Sequence, residues 1–154
     1  MSAVEQKKVI RERMRSQRQQ LTADQQAQAA TGLLNILSKH LQSADYPLAI
    51  YLTFDGELDT HPLIEFAWQS GYEIYLPIVQ GNGAPLLFRG YDSETILEAN
   101  RYGIGEPSIG ELLPANAMKT ICLPLTAFDR QGGRLGMGGG FYDITLADLK
   151  KSQS

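Results

Sequence analysis

Apolar positions recur along the chain in two periods, and the alternation between them sets the expected architecture. Over residues 7–18, Val9, Ile10 and Met14 are apolar while Lys7, Arg11, Arg15 and Arg18 fall 4, 4 and 3 residues apart, which places the four cations on one side of a helix. Thr22 followed three residues later by Gln25 has the capping-box pattern, and Ala30, Leu33, Leu34, Leu37 and Leu41 continue it at helical spacing. The run LAIYLTF, residues 48–54, is short, apolar and bounded by Pro47, Asp55 and Gly56. It reads as a buried strand. Thr60 caps a third helix that runs through Ser70, with Pro62 in its first turn and Gly71 just past its end.

EIYLPIV (73–79) predicts a second strand, QGNGAP a turn and LLFRGY (86–91) a third strand. SETILEAN (93–100) predicts a short helix capped by Ser93, and residues 100–107 a loop. KTICLPL (119–125) is again strand-like; DRQGGRLGMGGG is a glycine-dense connection, and FYDITLADLKK a closing helix. Strands alternating with helices predict an α/β domain whose parallel strands are joined by right-handed crossovers and covered by helices. The length of 154 residues fits one such domain.

Composition narrows the function classes. Hydrophobic residues at 43% and charged residues at 20% are those of a globular chain, so neither disorder nor a collagen-like structure is expected. No apolar run approaches the roughly 18 residues of a membrane span, and the N-terminal residues lack the apolar core of an export signal. The single Cys122, with only His40 and His61 as companions, makes neither an intramolecular disulfide nor a zinc site. These features predict a cytoplasmic protein with no membrane partner. Cys122, in an apolar run, reads as core.

Charge is uneven. Residues 7–18 hold six cations against Glu12 alone, a local net of +5 in a chain whose total is −3. Such a cluster suits a phosphorylated small molecule, a nucleic acid or an acidic surface on the same protein. The nucleic-acid reading is the weakest, because the basic segment carries no aromatic platform and no recognition motif.

The most informative stretch is RLGMGGGFYD, residues 134–143, with glycines at 136, 138, 139 and 140 between a predicted strand and a predicted helix. Glycine backbone comes close to a ligand, and its N–H groups together with a helix N-terminus cradle phosphate oxygens. Neither standard fingerprint fits. The P-loop lysine and hydroxyl are missing, and a dinucleotide motif begun at Gly136 needs its third glycine where Phe141 stands. Arg134 and Asp143 bracket the loop with a cation and a carboxylate, the two kinds of group phosphoryl transfer requires. Asp143 also fits a helix cap and Arg134 a solvated loop residue. Pro77 and Pro124 within strand-like runs point to strand ends beside a site.

RLGMGGGFYD, preceded by TAFD (126–129), together with KKVIR (7–11), FDGELDT (54–60) and YGIGEP (102–107), resembles the 5-formyltetrahydrofolate cyclo-ligase family in ordered segments across most of the chain. The resemblance implies a three-layer, Rossmann-like sandwich with a mostly parallel sheet. It implies conversion of 5-formyltetrahydrofolate to 5,10-methenyltetrahydrofolate with Mg²⁺ and ATP, releasing ADP and phosphate. Carried over by motif, Lys7, Lys8 and Arg11 contact the phosphates of ATP. Arg134, Leu135, Gly136, Met137, Gly138, Gly139, Gly140, Phe141 and Tyr142 form the ATP loop, with Arg134 and Tyr142 catalytic, and Asp143 holds Mg²⁺. Leu52 and Glu57 contact the folate, and Tyr51 adds an aromatic wall for the pterin.

The chemistry fits those residue types. A formamide oxygen leaves poorly until it is phosphorylated, after which N10 closes the ring and phosphate departs, a task of positioning and charge stabilisation. Two departures accompany the resemblance. Ile144 stands where the family usually has a basic residue, and the family extends some tens of residues beyond Ser154, adding a strand, so a single domain truncated at its C-terminus is expected. A nucleotide- or folate-binding protein without turnover is therefore the alternative reading. The partners expected are folate and ATP, and the chain is expected to be a monomer.

Overall fold

The computed structural model describes residues 1–154. In chain order the elements are α1 (Ala3–Gln19), α2 (Ala23–His40), β1 (Leu48–Ala49), α3 (His61–Gln69), β2 (Ile74–Ile78), β3 (Leu87–Tyr91), β4 (Leu97–Ala99), β5 (Gly105–Pro107), β6 (Leu113–Pro114), β7 (Thr120–Ile121), β8 (Ala127–Phe128), β9 (Arg134–Leu135) and α4 (Phe141–Ser152). The Thr22/Gln25 capping box forms as the sequence predicts, with a second one from Ser2 and Glu5 at the start of α1. Each satisfies two N–H groups that a helix start leaves without partners.

A five-stranded sheet runs in the order β6-β3-β2-β1-β7. β1 pairs in parallel with β2 and β7, whereas β2–β3 and β3–β6 are antiparallel. The sheet is mixed, then, where the alternation of elements predicts a mostly parallel one. The reason is the turn between β2 and β3, which is too short for a crossover and leaves only a hairpin. Strand alternation divides the core in two. Leu48, Ile50, Ile74 and Leu76 pack with Leu63, Ile64 and Ala67 of α3, with Leu34 and Leu37 of α2 against them. Ala49 and Phe88 lie on the other side with Leu86, Ala115 and Met118, and Phe141, Tyr142 and Leu149 of α4 cover them. Successive strand residues point to opposite faces, so helices flank both sides of the sheet.

Residues 93–100 do not form the predicted helix. Asp92 Oδ1 accepts from the Glu94 N–H and the Thr95 hydroxyl, both at 2.9 Å, and turns the chain. Side-chain bonds of this kind compete with helical ones. The segment leads into β4, which pairs antiparallel with β5, so a hairpin stands where a helix and a loop are predicted. Runs 48–54 and 119–125 are strands only at 48–49 and 120–121; the remainder of each leaves the sheet.

Thr145 ties α4 to the sheet. Its hydroxyl donates to Phe141 O at 2.6 Å and accepts from the Leu86 N–H at 2.8 Å, and the residue is 1% exposed. Thr145→Val keeps the volume but orphans a buried N–H, and chemical denaturation should show a loss of about 1–3 kcal/mol. A loss below the resolution of the measurement refutes this role.

Candidate active site

The site lies where the central strands part. The N–H groups of Leu48 and Ile50 donate to the carbonyls of Glu73, just before β2, and Tyr75 within it, so the next residue in that alternation facing β1 is Pro77. β1 has already ended there, and proline's missing N–H costs no ladder bond. A cavity of about 560 Å³ occupies the opening, and both Pro77 and Pro124 line it, as their positions in the sequence lead one to expect.

Three further segments bring in the residues that the sequence nominates. From α1 come Lys7 and Arg11; after β1 come Tyr51, Leu52, Phe54 and Glu57; from β9 to the start of α4 come Arg134, Leu135, Gly136, Met137, Gly138, Gly139, Gly140, Phe141, Tyr142 and Asp143. The structure thus brings together every residue the sequence nominates except Lys8. Lys8 lies outside the cavity, exposed, 3.9 Å from Glu12 Oε1; one helical position rotates it away from the face that carries Lys7 and Arg11.

The glycine loop starts from the β8–β9 hairpin, whose turn is closed by Asp129 Oδ1 accepting from the Gln131 and Gly133 N–H groups at 2.8 Å. Gly138 and Gly140 adopt φ of +105° and +75°, a region that side chains disfavour. The backbone N–H groups from Gly136 to Asp143 have no protein acceptor. Eight donors at a helix N-terminus, with glycines that admit a ligand to the backbone, form an anion cradle. Arg11 Nε donates to Gly136 O at 2.8 Å, across 125 residues of sequence, so the cationic helix and the loop meet. Arg134 Nη2 bonds Asp143 Oδ1 at 2.8 Å and closes the loop at its base.

Burial shapes the titratable groups. It raises the Glu57 carboxyl above its ordinary value, against the lowering influence of the Phe54 N–H, which donates to Oε2 at 3.1 Å, and of Arg18. Burial pushes Tyr51, whose hydroxyl donates to Leu58 O at 3.1 Å, up to about 12. It also raises Tyr142, with the Glu57 charge adding to the effect. Both phenols stay protonated at neutral pH and act as hydrogen-bonding groups rather than bases. The same burial holds the Cys122 thiol at about 11, which makes it inert.

No group of three His, Cys, Asp or Glu side chains is placed to hold a metal. Of the carboxylates lining the cavity, Glu57 is held by Phe54, and Glu106 accepts from the Val79 N–H at 2.8 Å and Asn100 Nδ2 at 3.1 Å. Asp143 keeps one oxygen free of protein partners, beside the cradle. A lone carboxylate fits Mg²⁺ held largely by phosphate oxygens and water, and not an all-protein cage. Reading roles from the sequence missed Glu106, Asn100, Tyr102 and Phe54, all of which line the cavity. The YGIGEP and FDGELDT segments carry the signal for Tyr102, Glu106 and Phe54, without roles for those positions, and Asn100 lies outside both.

An α/β fold that sets free backbone N–H groups and cations beside an apolar-walled cavity is the arrangement of a small-molecule enzyme site. Residues 3–154 match the 5-formyltetrahydrofolate cyclo-ligase family, and the chain belongs to that family. It is 42% identical over 143 residues to the 5-formyltetrahydrofolate cyclo-ligase of Escherichia coli strain K12, covering 86% of this chain and 75% of that protein. The Haemophilus influenzae enzyme of the same name is 40% identical over 144 residues, covering 89% and 75%. The NMR structure of Aquifex aeolicus 5,10-methenyltetrahydrofolate synthetase superposes with a TM-score of 0.79 at 29% identity, over 92% of this chain and 72% of that one. A Mycoplasma pneumoniae 5,10-methenyltetrahydrofolate synthetase, at 18% identity, shares the fold with a TM-score of 0.74, over 93% and 78%.

The raised Glu57 carboxyl has a consequence for stability. Below its ordinary value of 4.5 the folded and unfolded chains both hold the proton, and the group is neutral in the balance. As pH rises through the raised folded value, the unfolded chain has already ionised, and folding then opposes a charge that burial disfavours. Glu57→Gln keeps an oxygen for the Phe54 N–H and should raise Tm at pH 7–8, with the gain vanishing below about pH 4. A gain independent of pH counts against the assignment.

Proposed function

We propose that the cavity binds 5-formyltetrahydrofolate together with Mg-ATP and performs the cyclo-ligase reaction that gives 5,10-methenyltetrahydrofolate, ADP and phosphate. ATP supplies the phosphoryl group that turns the formyl oxygen into a leaving group, after which N10 forms the new C–N bond and phosphate departs. The observation that supports this reading is the meeting of α1 and the glycine loop at the 2.8 Å bond from Arg11 to Gly136.

The protein's own groups divide the work. The free N–H groups of residues 136–143 receive phosphate oxygens, and Lys7 and Arg11 offset their charge from across the opening. Arg134, bonded to Asp143 at the loop's base, would offer its cation to a phosphate oxygen, and the Asp143 carboxylate would hold Mg²⁺. Tyr51, Leu52 and Phe54 present apolar and aromatic surface to a pterin. Glu57 accepts hydrogen bonds from the folate's N–H groups, a role suited to a carboxylate already desolvated and needing donors. Tyr142 donates from its protonated hydroxyl. The apolar walls exclude water, which strengthens each of these interactions. A cytoplasmic, monomeric enzyme in a Rossmann-like sandwich accords with this reading.

The test follows methenyltetrahydrofolate absorbance during incubation with 5-formyltetrahydrofolate and Mg-ATP. Product forms above a no-enzyme control if the reading is right. ATP binding without product establishes instead a binding protein without turnover. Gly138→Ala probes the cradle, since a side chain at φ +105° costs about 1–3 kcal/mol and its Cβ meets Arg11 Cζ at 3.6 Å. We expect the KM for ATP to rise with little change in that for folate; equal changes in both argue against a phosphate cradle here. Arg134→Ala should lower kcat/KM for ATP, and an unaltered value removes Arg134 from the reaction.

A further inference from the structure

Of the four cations aligned on α1, the proposed function uses Lys7 and Arg11. Arg15 and Arg18 continue the same face and neither lines the cavity. Both end on one carboxylate, with Arg15 Nε at 2.7 Å and Arg18 Nη2 at 3.1 Å from Asp55 Oδ2. Gln19 Nε2 adds a bond to Oδ1 at 3.3 Å. Asp55 is itself fixed to the body of the domain. It sits at φ +52° in a turn continued by Gly56, whose carbonyl accepts from Gln26 Nε2 of α2 at 3.1 Å, and its side chain is only 15% exposed. Hydrogen bonding to Arg15 holds its carboxyl below the usual range, so it is ionised at neutral pH.

These ties matter because α1 has little else to hold it. None of its residues is buried, and Val4, Val9 and Ile10 are exposed. Apolar burial, the usual anchor of a surface helix, is nearly absent. Apart from Arg11 on Gly136, the polar ties recorded between α1 and the rest of the domain are those to Asp55 and a 3.4 Å bond from Arg18 Nη1 to Leu125 O. A helix rises about 6 Å over the four residues from Arg15 to Arg11, so pinning its second half aims its first half.

We propose that Asp55 is a positioning residue for the phosphate-binding cations: by gathering Arg15 and Arg18 it sets where Lys7 and Arg11 stand over the glycine loop, without touching a substrate. The inference rests on the nucleotide reading given above and adds a residue to it. It separates the two ligands. The Glu57 carboxylate takes its hydrogen bond from the Phe54 N–H and feels Asp55 only as a nearby charge, the least of the influences on it, so loss of the Asp55 charge disturbs the nucleotide side far more than the folate side.

The test uses Asp55→Asn in the full chain, because asparagine tolerates the left-handed turn and nearly preserves its shape. Mg-ATP affinity is measured by calorimetry, the KM values for ATP and 5-formyltetrahydrofolate by turnover, and amide exchange across residues 3–19. Misplacing reacting groups by about 1 Å costs up to about a hundredfold, so a rise of about tenfold in the Kd and KM for ATP is expected, with the folate KM within about twofold. Exchange in α1 quickens while that in β2 stays unchanged, which a general loss of stability does not produce. Arg15→Gln moves ATP affinity the same way, and combining it with Asp55→Asn adds little beyond Asp55→Asn alone.

Unchanged ATP affinity in folded Asp55→Asn overturns the proposal, as does unchanged affinity in Arg15→Gln should the first variant not fold. A folate KM that rises as much as that for ATP overturns it too. Wild-type protein that binds Mg-ATP but makes no product sinks the cyclo-ligase reading while calorimetry still decides this one; wild type that fails to bind Mg-ATP sinks both.

Discussion

The site depends on the sheet coming apart at its centre. β1 keeps both neighbours only through Leu48 and Ala49, with the Cys122 N–H on Ala49 O as the last bond on the β7 side and the Ile50 N–H on Tyr75 O as the last on the β2 side. β1 and β7 end together there while β2 runs on to Ile78 against β3, and the chains leaving β1 and β7 diverge. A parallel sheet that opens at its carboxyl ends creates a crevice at no cost in unmade ladder bonds only if the freed backbone is satisfied elsewhere or lacks a donor. Pro77 lacks one. Val79, two residues on, gives its N–H to Glu106, and Thr60, at the start of α3, gives its hydroxyl to Tyr51 O at 2.7 Å. Much of what lines the cavity follows from this parting: residues 51–57, 77–79 and 124–125 are the segments released by it.

The sequence exposed some levels of this organisation and hid others. The helices α1 to α4 are legible from their apolar or cationic period, helped at α2 by the Thr22 and Gln25 capping box; Thr60 stands at the start of α3 but does not cap it with its side chain, because its hydroxyl donates to Tyr51 O instead. The hairpin at 97–107 was not. Ile96 and Leu97 beside Ser93 imitate a capped helix, and only the tertiary contact of Leu97 with the first core, together with Glu106 holding Asn100, selects strand over helix. Local pattern carries no information about such partners. Strand lengths were overread for a related reason, since Tyr51 and Leu52 are as apolar as Leu48 whether they face a neighbouring strand or a ligand cavity. The direction of β3 needed only the length of the turn before it.

At the site, the glycine loop and the cationic face of α1 are both visible as chemistry, while their convergence is implied by the family resemblance alone, because nothing within residues 7–11 or 134–143 encodes the other; the Arg11–Gly136 bond brings the two segments together. Lys8 shows the limit of reading a cation cluster as a unit. It is adjacent to Lys7 yet rotated onto solvent, where its pairing with Glu12 is of the exposed i,i+4 kind that contributes little. Asp55 was hidden differently. It lay inside a recognised segment but drew no attention, since a carboxylate in a turn next to glycine is ordinary until two arginines from another element reach it.

A loop that binds phosphate with backbone alone supplies dipoles but no net charge, and this one has no lysine of its own. A P-loop places its lysine within the motif, so cradle and cation fold as one local unit. Here Arg134 is the loop's own cation, while Lys7 and Arg11 belong to a helix reached across 125 residues of sequence, and that helix buries none of its residues. The proposed phosphate site is accordingly a tertiary arrangement whose integrity is a matter of docking. Fixing Arg11 on Gly136 O satisfies a carbonyl of the loop while leaving the loop's own N–H groups free, so the contact that assembles the site consumes none of the donors a phosphate needs. On the proposed reading, a triphosphate bound between the two favours the docked state of α1 by its differential affinity for that state.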